Sequence, residues 1–205
     1  LKEIEGQNRL PRSVVDNEVR LVKPTDWTSG FFPGSLWYLY EYTQDDKWKK
    51  AAMEYTELLE DIQYFTGNHD IGFMMYCSYG NAYRLTKNEK YRAILLQSAR
   101  SQCKRYDPEI KSIRSWDWNK KRWQYPVIID NMMNLELLMW AFKETGDSTF
   151  RNIAATHANT TMKNHFRDDM STWHVVDYDT LTGEPRIKQT WQGLSDSSAW
   201  SRGQS

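Results

Sequence analysis

Thr43-Gln44-Asp45-Asp46-Lys47-Trp48-Lys49 returns in altered form as Thr86-Lys87-Asn88-Glu89-Lys90-Tyr91-Arg92, and again as Thr145-Gly146-Asp147-Ser148-Thr149-Phe150-Arg151. The shared pattern is Thr-x-(Asp/Asn)-x-x-aromatic-(Lys/Arg). Repeats at such intervals signal stacked supersecondary units. Each copy reads as the turn of a helical hairpin. An apolar helix precedes it, as in Met132, Met133, Leu135, Leu137, Leu138, Trp140, Ala141 and Phe142. A two-faced helix follows, as in Trp48, Ala51, Ala52, Tyr55, Leu58, Leu59 and Ile62 at i, i+3, i+4, i+7 spacing. Asp45, Asn88 and Asp147 stand where N-caps belong. The repeated residues therefore read as caps and packing, not chemistry.

The first helix of each hairpin is apolar almost all round and is expected to be buried on both sides; the second is expected to lie outside. Inner and outer helices repeated in this way close into an α/α toroid. The fold class is thus all-α, with residues 1–205 forming a single domain. The longer second interval holds an insertion, Pro108 to Pro126, which reads as a strand pair of Ser112–Trp118 and Arg122–Tyr125. A second pair, Trp173–Tyr178 and Pro185–Trp191, follows the third hairpin. Three hairpins leave a toroid open, with apolar helix faces at its side walls. The final residues, Trp200 to Ser205, read as the start of a fourth inner helix, so the expectation is the truncated N-terminal part of a toroid.

The 205 residues carry 27 Lys+Arg against 27 Asp+Glu, a net charge of zero that argues against a nucleic-acid partner. No uncharged run approaches a membrane span. Two cysteines cannot make a disulfide framework. The unusual feature is aromatic: 10 Trp, 12 Tyr and 7 Phe, many beside Gly, Asp, Asn or Arg. A flat indole stacks on the C–H face of a pyranose while polar neighbours hold its hydroxyls, so sugar binding competes with an aromatic-rich core as the explanation.

Four polar-aromatic clusters precede the inner helices: Asp26 to Gly34, Gly67 to Phe73, Ile128 to Leu135, and Ser195 to Gln204. In a toroid they fall on one rim. Two carboxylates stand out, Asp70 and Asp130. Asp130 follows Val127-Ile128-Ile129 and precedes a helix rich in Met and Leu. Burial there raises a carboxyl pKa and suits a general acid, with Asp70 as a second carboxylate pushing the same way. The alternative is that both are N-caps, where the helix dipole lowers the pKa. His69 reads as a helix-start residue, His174 faces the rim from a strand, and His157 and His165 fall on an outer helix as surface residues. There is no HExxH, no paired Cys and no carboxylate spacing for a metal, so neither a metal nor a cofactor is expected. No Gly-rich phosphate loop and no nucleophile elbow occurs.

At these four clusters the sequence resembles glycoside hydrolase family 88, the unsaturated glucuronyl hydrolases. The stretches that carry the resemblance are Trp27-Thr28-Ser29-Gly30-Phe31-Phe32-Pro33-Gly34-Ser35-Leu36-Trp37, His69-Asp70-Ile71-Gly72-Phe73, Ile129-Asp130-Asn131-Met132-Met133-Asn134-Leu135, and Gln192-Gly193-Leu194-Ser195-Asp196-Ser197-Ser198-Ala199-Trp200-Ser201-Arg202-Gly203-Gln204. The resemblance implies an (α/α)6 barrel, of which this chain would be the N-terminal half. It implies hydration of the C4=C5 vinyl ether in a 4,5-unsaturated uronic acid at the non-reducing end of lyase-generated oligosaccharides. The two-carboxylate rule for stereochemistry then does not apply. It implies Asp130 as general acid/base and Asp70 as the second essential carboxylate, holding up the pKa of Asp130. Trp27, His69, Asn131, His174, Gln192 and Arg202 match substrate-binding positions, with Arg202 suited to grip a uronate carboxylate bidentately.

Three rivals stand beside it. One is an unsaturated rhamnogalacturonyl hydrolase with the same barrel and a pectin substrate, against which Phe31-Phe32-Pro33-Gly34 weighs. Another is a non-catalytic sugar-binding barrel in which both Asp residues are caps. The third is a barrel epimerase, which wants more rim histidines than His69 and His174. The start at Leu1 rather than Met means either that a leader has been removed or that the sequence begins inside its gene; the first reading gives a periplasmic or secreted location, with the cytoplasm as the alternative.

Overall fold

The computed structural model describes residues 4 and 6–198. Arg202 and the fourth inner helix expected near Trp200 lie outside the described residues. The chain divides into two compact units: one comprises the residues up to Phe65 with Ile71–Ser101, the other Thr66–Asp70 with the chain from Gln102 onward. Helices dominate, with small sheets between them. Among the described residues no helix is long and apolar enough to cross a membrane.

The first unit opens with a hairpin the sequence reading passed over, β1 (Leu10–Val15) paired antiparallel with β2 (Glu18–Val22). Its turn residues Asp16 and Asn17 have φ of 50° and 62°, the left-handed pair that a two-residue type I′ turn requires. Next come α1 (Phe31–Thr43), α2 (Asp46–Glu57) and a 3₁₀ segment (Glu60–Tyr64). Then α3 (Ile71–Met75) runs through a π-helical turn (Tyr76–Gly80) into α4 (Asn81–Thr86), followed by α5 (Glu89–Cys103). The second unit holds β3 (Tyr106–Asp107), β4 (Ser112–Ile113), β5 (Tyr125–Ile128), a 3₁₀ segment (Ile129–Asn134), α6 (Leu135–Thr145), α7 (Ser148–His165), β6 (Val175–Tyr178) and β7 (Pro185–Gln189).

The repeated heptapeptide makes the same turn three times. The Thr hydroxyl donates to the carbonyl four residues back, 2.7 Å to Leu39, 2.6 Å to Ala82 and 2.7 Å to Ala141. The same oxygen accepts the N–H of the capping residue, Asp45, Asn88 or Asp147. The residue between them, Gln44, Lys87 or Gly146, takes positive φ and ends the first helix. The Asp or Asn side chain then accepts the N–H two residues on, at 3.0, 2.9 and 2.9 Å, and starts the next helix. Two helix ends are satisfied within three residues, which is why so short a signal specifies a hairpin.

The expectation that inner helices are buried on both sides is only half met. Helix α1 buries Pro33, Gly34, Leu36 and Trp37, and the Trp37 indole donates to Thr56 Oγ1 at 2.9 Å. Its other face exposes Tyr38, Leu39 and Tyr42. The glycines of Gly30-Phe31-Phe32-Pro33-Gly34 explain the close approach on the buried side. A Cβ on Gly30 would lie 2.1 Å from the Met74 carbonyl oxygen, and one on Gly34 would lie 2.8 Å from that of Cys77. Backbone cannot yield as a side-chain tip can. Gly30→Ala is expected to cost about 3 kcal/mol of stability, the upper end of ordinary overpacking, read as a fall in the urea midpoint. An unchanged midpoint would mean that this contact is not tight.

The sheets differ from expectation in the first insertion. Ser112–Trp118 does not pair with Arg122–Tyr125. Instead β4 pairs with β3, and β5 pairs with β6, which pairs with β7. Strand β5 is apolar and largely buried, and it finds its partner in the equally buried Val175–Tyr178. Asp177 fixes that choice: its fully buried carboxylate accepts the backbone N–H groups of Gln124 and Tyr125 and is neutralised by Arg186. The second expected hairpin, Trp173–Tyr178 with Pro185–Trp191, forms as β6 and β7. His157 and His165, expected at the surface, are both fully buried. Helix α7 turns them inward, where His157 Nδ1 accepts the Ile113 N–H at 2.9 Å and His165 Nδ1 meets the Trp173 carbonyl at 3.1 Å.

Candidate active site

Within the second unit the chain brings His69, Asp70, Asp130 and Asn131 together. The loop Thr66–Asp70 is anchored at its start by the Arg105 guanidinium, which donates to the Thr66 carbonyl and pairs with Asp117 at 2.7 Å. Further along, the His69 N–H donates to the Ser115 carbonyl at 3.1 Å, and Asn68 bridges Trp116. Asp130 sits on the first turn of the 3₁₀ segment that leaves β5. That segment is capped at Ile128 with no side-chain bond, so Asp130 is not its cap. The capping alternative for this residue is therefore not what the backbone does.

The geometry is compact. His69 is 3% exposed, and its Nε2 lies 3.1 Å from Asp70 Oδ1. Ligand atoms of His69, Asp70 and Asp130 all fall within 4.8 Å of one another. Burial alone would push the His69 pKa down. The Asp70 and Asp130 charges, with hydrogen bonds to Asp70 and Asn131, outweigh it, and His69 is held above the usual histidine range. A histidine grouped by resemblance with the sugar-binding positions is thus buried beside two carboxyl groups, whose charge favours its protonated form. The same three donors are spaced as a cation site could be, which the sequence spacing did not suggest. Nε2 would have to give up its bond to Asp70 to ligate a metal.

Ser115, which the sequence gave no reason to single out, holds this arrangement. Its Oγ lies 3.4 Å from His69 Nδ1 and accepts the Ile128 N–H at 2.9 Å, while its own N–H donates to the Pro126 carbonyl at 2.8 Å. Asn131, fully buried, donates from Nδ2 to the Ile113 carbonyl at 2.7 Å. The loop that carries His69 and the strand that leads into Asp130 are therefore tied through one side chain. Ser115→Ala is expected to leave the Ile128 N–H unsatisfied and cost about 2 kcal/mol in urea unfolding. A loss under a few tenths would remove Ser115 from this role.

His174 adds a second tie. Its carbonyl accepts the Ile129 N–H at 2.9 Å, next to Asp130. Its Nδ1 accepts the backbone N–H groups of Trp191 and Gln192, both at 3.1 Å, so a neutral ring carries its proton on Nε2. His174, Gln192 and Asp130 are thereby linked through backbone. Trp27 belongs to the first unit, where it packs edge-on to Phe31 at 6.0 Å and Phe73 at 6.3 Å with the Arg12 guanidinium over its ring. Arg202 lies outside the described residues.

No family model matches the chain. Known proteins do. An unsaturated glucuronyl hydrolase of Formosa agariphila is 48% identical over 202 residues, covering 97% of this chain and 50% of that protein. An unsaturated chondroitin disaccharide hydrolase of Streptococcus pneumoniae is 35% identical over 193 residues, covering 93% and 49%. Among solved structures, an unsaturated glucuronyl hydrolase specific for heparin superposes with a TM-score of 0.91 at 48% identity, over 97% of this chain and 54% of that one. The chain is thus related to the unsaturated glucuronyl hydrolases along nearly its whole length, and it spans about half the length of the curated relatives it matches.

Proposed function

We propose that this chain is the N-terminal half of an (α/α)6-barrel unsaturated glucuronyl hydrolase, acting on glycosaminoglycan-type oligosaccharides that carry a 4,5-unsaturated uronic acid at the non-reducing end. The observation that carries the reading is the gathering of His69, Asp70 and Asp130 in one small polar centre, on residues where the chain resembles that family. Repeated hairpins and the exposed apolar face of α1 support a barrel continued by further helices.

In this reading Asp130 gives its proton to C4 of the vinyl ether, and positive charge develops along C5–O5. Water adds to C5 while the Asp130 carboxylate takes up a proton from it. The C5 hemiketal opens to a ketone, leaving a hemiacetal at C1 that expels the neighbouring sugar as an alcohol. Asp70, held by His69, orients the substrate and balances the developing charge. Asn131, His174 and Gln192 position the sugar, Trp27 stacks on it, and Arg202 grips its carboxylate. The test is loss of the ultraviolet absorbance of the conjugated double bond in unsaturated disaccharides from chondroitin, heparin and pectin digests. It is run with this chain and with one extended to the length of its relatives. Faster decay of the glycosaminoglycan substrates is expected; faster decay of the pectin product would move the assignment to a rhamnogalacturonyl hydrolase. No decay of any of them with either chain would overturn the reading in favour of a sugar-binding protein.

A further inference from the structure

Both halves of the acidic centre hang from one short stretch of chain, residues 113–115. On one side the Ser115 carbonyl accepts the His69 N–H at 3.1 Å. On the other the Ile113 carbonyl accepts the Asn131 amide at 2.7 Å, next to Asp130. Ile113 ends strand β4, and the residue after it, Arg114, gives its N–H to the Arg105 carbonyl at 2.9 Å, on the side of β3. Successive residues of a strand bond to opposite edges, and the N–H and carbonyl of one residue leave from the same edge. Both groups of Ile113 therefore leave the free edge of β4, against which no third strand pairs among the described residues. Two side chains take a strand's place there. Asn131 donates to the carbonyl, and His157 accepts the N–H at Nδ1, 2.9 Å away.

His157 comes from α7 and is fully buried. Burial, reinforced by neighbouring histidine charge, takes its pKa down to about 3, so the ring stays neutral and Nδ1 stays an acceptor. Without that acceptor the Ile113 N–H would be unpaired inside the protein, at a cost of about 1–3 kcal/mol. Any turn of Ile113 that found it another partner would carry the carbonyl along, and with it the Asn131 amide. We propose that His157 is a positioning residue of the active centre: it fixes Ile113 from α7, and through Ile113 it sets Asn131 and the Asp130 carboxyl beside His69 and Asp70. Its effect on turnover rests on the reaction proposed above; the tie to Asn131 does not.

The test compares His157→Leu, which fills the space without an acceptor, with His157→Asn, whose Oδ1 can take the N–H. Both are made in the chain extended to the length of its relatives. Turnover of an unsaturated glucuronyl disaccharide per folded molecule is expected to fall about tenfold in His157→Leu, with KM within about twofold, because a misplaced reacting group costs kcat rather than binding. His157→Asn is expected to recover turnover to within about threefold of the unaltered protein. In parallel, nitrogen-15 spectra of asparagine-labelled protein follow the Asn131 side-chain amide, a readout that needs no turnover. Its signal should move and lose protection from hydrogen exchange in His157→Leu, and return in His157→Asn. Equal loss of turnover in both variants, or full turnover in His157→Leu, would leave His157 a packing residue and overturn the proposal. An unmoved Asn131 amide in His157→Leu would overturn it too. If the unaltered protein does not turn over, the reaction falls by its own test, and the Asn131 amide alone decides the tie.

Discussion

Asp130→Asn is expected to lower turnover of an unsaturated glucuronyl disaccharide by about 10²–10⁴-fold, the range that a positioned general acid supplies. Affinity for the disaccharide should stay near that of the unaltered protein. The substitution is close to isosteric and keeps an oxygen facing the centre, so the ties made by Asn131 and Ser115 persist. What it removes is a group that can hand a proton to carbon and recover one from water. The split between turnover and binding separates an enzyme from a sugar-binding barrel, where neither property depends on a proton. A pH–rate profile of the unaltered protein should report the cluster of His69, Asp70 and Asp130 as a unit rather than one residue, because the three lie within 4.8 Å. Undiminished turnover by the variant would remove Asp130 from the chemistry.

The second large effect is on stability in acid. His157 and His165 are fully buried, and their Nε2 atoms have no hydrogen-bond partner among the described residues. Burial, reinforced by neighbouring histidine charge, pushes His157 down to about 3; burial likewise takes His165 down to about 4 against the pull of the Trp173 carbonyl. Unfolded imidazoles titrate near 6.5, so below that pH the unfolded chain binds protons that the folded chain refuses. The contribution of these two rings is therefore complete above about 6.5 and drains away as pH falls toward 4 and then 3, whereas His69, held above the usual range, contributes in the opposite sense, stability that is lost as pH rises. His157 and His165 each cost about 1.4 kcal/mol per pH unit in that window, or about 4 kcal/mol for the two at pH 5. Urea unfolding at pH 7, 6 and 5 reads the slope. His157→Asn keeps an acceptor for the Ile113 N–H and should remove about half of it. A flat profile from pH 7 to 5 would contradict the burial of both rings.

What the sequence made legible was what short-range chemistry encodes. Thr-x-Asp/Asn satisfies the end of one helix and the start of the next within three residues, so all three hairpin turns could be read directly. Asp70 and Asp130 could be placed from sequence just ahead of two inner helices, and their ligand atoms lie with that of His69 within 4.8 Å of one another. The hairpin β1–β2 was missed although Asp16-Asn17 between Val15 and Glu18 carries the turn signal, because attention to helical period passes over a strand of six residues. The pairing of β5 was misread because its partner is distant in sequence and is chosen by Asp177, a buried charge whose neighbours no local pattern reveals. The inward turn of His157 and His165 was hidden for the same reason: a polar residue on an amphipathic helix reads as solvated until a strand supplies its hydrogen bond. Ser115 gave no signal at all, being one of many serines, and its role comes wholly from what the fold places on either side of it. The glycines at 30 and 34 were read as part of a polar-aromatic cluster, yet what they provide is backbone contact.

The central claim is that water is added across C4=C5 before any glycosidic bond breaks. Following absorbance loss and the appearance of new reducing ends together, on one unsaturated glucuronyl disaccharide, tests it most directly. The account predicts that the absorbance falls no later than reducing ends appear, and that both stop with Asp130→Asn. Reducing ends that accumulate while the absorbance persists would mean attack at the anomeric carbon, and would contradict it.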